Sequence, residues 1–239
     1  MAGELKTRKI NREDMLELTR RMTVKRNCFG RIAGAYLDEE GFVDGTFDPI
    51  HIGHLMLAEC AYEQFDLEQV LFLPSGNPPH KRTRVGASDQ QRMDMVRLAI
   101  DANPHFALDS EEMYRSGYTY TNDTLEILTA QHPDTDYYFI IGADSLMAFD
   151  TWYRPDGICA HCILAVAVRD QLAPEMLTEK MDELREKYQA RIFLLQTPDV
   201  DIASRRLREM CREGRSIRYY VTDEVFAYIR DNQIHKEGK

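Results

Sequence analysis

Short, unbroken apolar runs recur along the chain, and each is separated from the next by a stretch with helical periodicity. Val70-Leu71-Phe72-Leu73 is closed by Pro74, and Phe106-Ala107-Leu108 follows Pro104. Residues 137–141 are ended by Gly142, and residues 162–168 and 191–195 repeat the pattern. A strand with one wet face alternates apolar and polar residues, whereas an unbroken apolar strand is covered on both faces. Strands of that kind, spaced by helices, predict an α/β fold with a doubly wound parallel sheet. The spacing predicts helices over 88–101, 122–131 and 174–188. Ser88 and Gln91 form a capping box, and Met93, Val96, Ala99 and Ile100 share one face. Leu125 and Leu128 point inward from the second helix, and Pro174 opens the third. Two more helices, over 204–213 and 222–231, give a helical C-terminus. In such folds ligands bind beyond the carboxyl ends of the strands. The loops after Val43, Leu73, Leu108, Ile141 and Leu195 are therefore where chemistry is expected.

Composition narrows the class. The 239 residues are 44% hydrophobic and 29% charged, ordinary for one large globular domain or two small ones. Thirty basic against forty acidic side chains leave a net charge of −10, which disfavours a duplex nucleic-acid binder. Five cysteines, odd in number and scattered, form no disulfide framework. Cys159-x-x-Cys162 has the spacing of half a metal site but lies in an apolar run without a second pair, so both read as buried structural thiols. The twelve uncharged residues 157–168 are too few to span a bilayer, and the first residues lack the apolar core of a signal peptide. The expectation is a cytoplasmic protein with no nucleic-acid or membrane partner; a homo-oligomer is left open.

The segment Asp44-Gly-Thr-Phe-Asp-Pro-Ile-His-Ile-Gly-His-Leu55 carries the most chemistry. A turn rich in Gly, Asp and Pro runs into an apolar-periodic helix, with His51 and His54 three residues apart and so on one face. Gly53 between them permits close approach of a ligand. Free N–H groups and the positive end of the helix dipole favour a phosphate there, and two imidazoles can add hydrogen bonds to its oxygens. A bare His-x-x-His would more often be two surface histidines; the attached turn shifts the weight to a site.

Further motifs follow at strand ends. In Ser75-Gly-Asn-Pro-Pro-His-Lys81 the prolines stiffen a loop that places His80 and Lys81 over the cleft, where a cation can meet a phosphate. Trp152 is the only tryptophan, and its flat ring suits either stacking on a heterocycle or core packing. Asp144, just after Gly142, suits either a ligand contact or a helix cap. Asp201-Ile-Ala-Ser-Arg-Arg-Leu-Arg208 opens a helix with a hydroxyl and, four residues on, a guanidinium, a pair able to hold a polyphosphate.

Taken in order, these motifs resemble those of the bacterial nicotinate mononucleotide adenylyltransferases, within the His-x-Gly-His nucleotidyltransferase superfamily. The resemblance runs from about Gly45 to the C-terminus and includes Arg115-Ser-Gly-Tyr-Thr-Tyr-Thr-Asn122, Ile141-Gly-Ala-Asp144 and Thr151-Trp-Tyr-Arg154. It implies a Rossmann-like fold and transfer of the adenylyl group of ATP to nicotinate mononucleotide, with Mg²⁺ as the cofactor. It implies catalytic roles for His51, His54, Lys81 and Arg208. ATP would be bound by Gly45, Thr46, Phe47, His51, Gly53, His54, Gly142, Asp144, Ile202, Ser204 and Arg208. The mononucleotide would be bound by Asn77, His80, Lys81, Thr121, Asn122, Trp152 and Tyr153, with Trp152 stacked on the nicotinate ring. No metal-binding side chain is implied. Ala203 and Arg205 depart from the family's Ser and Thr, and Asp44 stands where the family has Gly. Two rival readings share these residues: a sister adenylyltransferase for nicotinamide mononucleotide or another phosphate, and a nucleotide-binding protein without turnover.

The resemblance divides the chain into an adenylyltransferase domain over 44–239 and an atypical N-terminal extension over 1–43. Within the extension, 11–22 reads as an amphipathic helix capped by Asn11. Residues 31–37 read as a strand, 38–41 as a turn, and 41–43 as the short strand feeding the Gly45 turn. On that reading residues 1–30 are dispensable.

Overall fold

The computed structural model describes residues 27–32, 46–77, 86–168 and 173–236. Six parallel strands form one sheet: β1 (Asn27–Ile32), β2 (Gln69–Phe72), β3 (Phe106–Leu108), β4 (Thr135–Gly142), β5 (Cys162–Ala167) and β6 (Arg191–Leu195). Their spatial order is β3-β2-β1-β4-β5-β6, which reverses direction at β1. Every crossover within the described residues carries a helix. These are α1 (Ile52–Phe65), α2 (Asp89–Ile100), α3 (Thr121–Gln131), α4 (Ala143–Met147), α5 (Pro155–His161) and α6 (Pro174–Tyr188). Two more, α7 (Ser204–Arg212) and α8 (Asp223–Asp231), follow the last strand. The predicted doubly wound sheet and helical C-terminus are both present.

The strands are apolar throughout because successive residues feed two different cores. Val70, Phe72, Ile140 and Ala165 pack with Ala58, Phe65, Met95, Ile100, Leu207 and Val225 on the face covered by α1, α2, α7 and α8. Leu71, Phe139, Ile141, Leu164 and Val166 pack with Leu125, Leu128, Ile158, Leu177 and Leu184 on the face covered by α3, α5 and α6. The strand side-chain period of two thus sorts one run of residues into two layers. Cys159 and Cys162 belong to the second layer, as read from their apolar context; burial pushes the Cys159 thiol up to about 12.

The beginning of the chain differs from the expectation. The first strand of the sheet is Asn27–Ile32, and it occupies a central position between β2 and β4. Phe29 lies opposite Gln69 on one side and Tyr137 on the other, so the strand is hydrogen-bonded along both edges. Only Arg31 and Ile32 overlap the strand read at 31–37. Deleting residues 1–30 would remove four of its six residues, which runs against the expectation that they are dispensable. Residues 33–45, which include the turn, the short strand and Asp44, lie outside the described residues, as does the helix read at 11–22. The sequence reading also passed over α5, whose apolar residues run without interruption into β5.

Candidate active site

The turn Thr46–Ile50 leads from the β1 side of the sheet into α1 and is gripped from four remote segments. Arg92 of α2, 5% exposed, donates from Nη1 to the Thr46 carbonyl at 2.9 Å and from Nη2 to the Ser75 carbonyl at 2.8 Å. It thereby joins the loops beyond β1 and β2. The Ala87 N–H donates to Asp48 Oδ1 at 3.1 Å, and His235 Nε2 lies 3.1 Å from the same oxygen. Arg208 of α7 donates to the Asp48 carbonyl at 2.8 Å, and Ser204 Oγ donates to the Pro49 carbonyl at 3.0 Å. The Ile52 N–H, first in α1, donates to the Tyr220 carbonyl at 2.8 Å. Burial alone would raise the Asp48 carboxyl, but His235, the Ala87 amide and Arg208 hold it below the usual carboxylate range. At Gly86 a Cβ would come within 2.0 Å of Asp48 Oδ2, so any side chain there would displace the Asp48 carboxylate from its partners.

This grip holds a strained backbone. Phe47 sits at φ 46°, a left-handed conformation that costs an ordinary residue roughly 1–2 kcal/mol. Its ring is buried, edge-on to His54 at 5.1 Å and tilted against Phe72 at 5.8 Å.

His51 and His54 are 1% and 3% exposed, and their rings stack with centroids 3.7 Å apart at 22°. His51 is the N-cap of α1 in extended conformation, and His54 is the third helical residue. The His51 N–H donates to His54 Nδ1 at 3.2 Å, so the imidazole does what a glutamate does in a capping box. That bond requires an unprotonated Nδ1, which makes Nε2 the N–H of the neutral ring. His54 is thus fixed in tautomer, and the stacked pair sits at the positive end of a 14-residue helix.

A second wall stands beyond β2, β3 and β4. Asn77 and Thr119 clasp each other: the Thr119 N–H donates to the Asn77 carbonyl at 3.0 Å, and the Asn77 N–H donates to Thr119 Oγ1 at 3.4 Å. Asn77 Nδ2 also donates to the Gly117 carbonyl at 3.1 Å. Below them Thr124 donates to Glu112 Oε1 at 2.7 Å and accepts from Arg115 at 2.9 Å, which pins the β3–α3 connection to α3. Thr121 is the first residue of α3, and Asn122 is fully buried beside Gly157, where a Cβ would meet its Oδ1 at 2.0 Å. Tyr153 lies against Tyr120 with ring centroids 4.3 Å apart. Trp152, half-buried, packs against Phe149 at 5.6 Å and Phe139 at 5.9 Å. Ser75 Oγ, Ser145 Oγ and Asn122 Oδ1 are buried and have no hydrogen-bond partner among the described residues. Each such group costs about 1–3 kcal/mol unless something satisfies it.

The residues read from the sequence therefore form two groups. Thr46, Phe47, His51, Gly53, His54, Ser204 and Arg208 gather around the start of α1. Asn77, Thr121, Asn122, Trp152 and Tyr153 line the second wall. Gly142 ends β4, and Asp144 follows in α4. Ile202 packs on the first core just before α7. Gly45, His80 and Lys81 lie outside the described residues.

Residues 42–210 match the family described as Cytidylyltransferase-like. A probable nicotinate-nucleotide adenylyltransferase of Lachnoclostridium phytofermentans is 46% identical over 189 residues, 79% of this chain and 94% of the relative. One from Synechococcus sp. (strain JA-3-3Ab), of the same name, is 38% identical over 82% of this chain and 93% of its own. The chain belongs to the nicotinate-nucleotide adenylyltransferase family. The family match begins at residue 42, downstream of β1. The fold agrees: the Plasmodium falciparum nicotinic acid mononucleotide adenylyltransferase complexed with NaAD superposes with a TM-score of 0.68 at 17% identity, over 87% of this chain and 96% of that one.

Arg92, Ala87, Tyr220 and His235 were not singled out in the sequence. All four hold the signature turn rather than face outward from it. Arg92 alone left a trace, as a cation on the first turns of a helix whose N-cap was already legible. Backbone groups at Ala87 and Tyr220 leave none.

Proposed function

We propose that this chain joins ATP and nicotinate mononucleotide into nicotinate adenine dinucleotide, the step that builds the dinucleotide in NAD biosynthesis. A phosphate oxygen of the mononucleotide attacks the α-phosphorus of ATP in line. The bond to the β-phosphate oxygen breaks, and pyrophosphate leaves. No protein nucleophile is required, and catalysis consists of positioning and charge stabilisation. The observation that carries this reading is the buried, stacked His51–His54 pair at the start of α1, aimed by a turn that α7 also touches.

Each group then has a role. Nε2 of His54 donates to the phosphoryl oxygen on which charge develops, and His51 supports the same oxygens from the N-cap, three residues earlier. Ser204 and Arg208 sit on carbonyls of the signature turn, within reach of the polyphosphate that enters beside it. Lys81 and His80 supply further positive charge from the β2 loop. Gly142 and Asp144 flank the adenosine, while Asn77, Thr121 and Asn122 hold the nicotinate end. The imidazole, amide, hydroxyl and guanidinium groups around the turn are a set suited to phosphate oxygens. Among the described residues no three His, Cys, Asp or Glu groups converge to hold a metal. In this reading Mg²⁺ comes in as the counter-ion of ATP. No helix among the described residues is long and apolar enough to cross a membrane.

The test is pyrophosphate release from ATP and Mg²⁺ with nicotinate mononucleotide, nicotinamide mononucleotide and pantetheine phosphate in parallel. Preference for the first supports the reading; equal or greater release with another acceptor reassigns the substrate, and ATP binding without release removes the activity. A narrower test concerns Trp152. Trp152→Ala is expected to weaken mononucleotide binding by about 1–3 kcal/mol, the value of an aromatic stack on a base, with little change for ATP. Titrating the two ligands separately checks this, and equal losses for both would make Trp152 a structural residue.

A further inference from the structure

We propose that Asp150 is a positioning residue for the mononucleotide end of the site, fixing the Trp152 ring through a cluster with Lys180, Lys187 and Tyr188 of α6. The inference rests on the reading of Trp152 as the stacking partner of the pyridine.

The turn that carries Trp152 is a single short unit. Residues Phe149–Thr151 form one turn of 3₁₀ helix. The Thr151 N–H donates to the Ala148 carbonyl at 3.0 Å, and the Trp152 N–H donates to the Phe149 carbonyl at 3.1 Å. Phe149 is fully buried and anchors one side of the turn in the second core. Asp150 anchors the other side. Its Oδ1 accepts from Lys187 Nζ at 2.6 Å and from Tyr188 Oη at 2.7 Å, and its Oδ2 pairs with Lys180 Nζ. Lys180 is held in turn by Glu183 at 2.9 Å.

Isolated ion pairs on a surface contribute about 0–1 kcal/mol, because solvent screens them and two flexible side chains must be ordered. This cluster differs in kind. One carboxylate takes donors from three side chains of another element, and the Asp150 and Lys180 side chains are 24% and 11% exposed. Burial would raise the Asp150 carboxyl, yet hydrogen bonds from Lys180, Lys187 and Tyr188 hold it far below the usual carboxylate range. The core contacts of α6 come from Leu177, Met181 and Leu184, which suffice to seat the helix on the sheet. What the polar cluster adds is a fixed link from α6 to the residue two before Trp152. Phe139 and Phe149 touch the ring itself, but rings in tilted and edge contact can slide. A backbone tethered at Asp150 cannot rotate to let them.

Trp152 is the only tryptophan, so tryptophan emission, excited selectively over the tyrosines, reports on this ring alone. The experiment compares Asp150→Ala, Asp150→Asn, Lys187→Met and Trp152→Ala in the full chain. It measures the KM for each substrate, the emission spectrum, acrylamide quenching and Tm. For Asp150→Ala the expected result is a rise of roughly tenfold in the mononucleotide KM, an ATP KM within about twofold, and a red-shifted, more quenchable emission. Asp150→Asn and Lys187→Met should move the same readouts in the same direction by less, and they keep the test decisive if Asp150→Ala fails to fold. An unchanged mononucleotide KM in folded Asp150 variants overturns the proposal, as does an equal rise in both KM values, which would mean general loosening. If Trp152→Ala itself leaves the mononucleotide KM unchanged, the stacking falls and the proposal with it. If Trp152→Ala raises that KM while the Asp150 variants leave it alone, only the proposal falls.

Discussion

Replacing His54 by alanine is expected to yield a folded protein that turns over at least about a hundredfold more slowly, the usual cost of one donor to developing charge. The ring is 3% exposed and stacked on His51, so it is held in a fixed place shielded from water. Its Nδ1 also accepts the His51 N–H, so the alanine variant should lose about 1 kcal/mol of stability as a helix cap is removed. His54→Gln separates the two effects. It restores a neutral capping acceptor at the third helical position but removes the imidazole, so stability should recover while turnover stays low. Turnover and thermal unfolding measured on both variants check this. Near-normal turnover in folded His54→Ala would remove His54 from the reaction.

Arg92→Met should be the most damaging change outside the reacting groups, with an expected loss of about 2–4 kcal/mol of stability and a raised KM for ATP. The guanidinium is the link between the Thr46 and Ser75 carbonyls, and both would lose a charged donor. Asp89, its carboxylate partner, has a side chain 32% exposed and can return to water, so the cost falls on the carbonyls. Arg92→Lys should recover little, because one ammonium cannot span two acceptors set for a planar fork. Denaturant unfolding and ATP titration read both effects. An Arg92→Met variant as stable as the parent would mean that the turn stands without this link.

Much of the fold was legible because its strands are apolar on both faces. Residues 137–141 and 162–168 could hardly be anything but covered strands. The capping box at Ser88 and Gln91 is present, with Gln91 N–H donating to Ser88 Oγ at 3.2 Å. The failures have physical causes. Asn27-Cys-Phe-Gly-Arg-Ile32 is interrupted by Asn, Gly and Arg, so it lacks the apolar run that marks the other strands. Its place comes from pairing on both edges, which no local pattern encodes. The α5 helix was missed because seven residues ending in an apolar stretch cannot be told from a strand by periodicity alone. In the site, the histidine pair was legible because its chemistry and spacing are both local. The grip on the turn was not, since Ser204 and Arg208 reach carbonyls 155 and 160 residues away, and any residue type can offer a carbonyl.

Those spans have a consequence for how the enzyme comes into being on the ribosome. A chain emerging at about 5–20 residues per second needs on the order of ten seconds or more after the signature turn is made before α7 exists to hold it. Until then the strained Phe47 backbone lacks its distal supports, while the strands through β5 can already pair. The sheet can therefore form during synthesis, whereas the site waits for the last helices. A ribosome that stalls after β6 would release a chain with its sheet largely complete and its signature turn unheld.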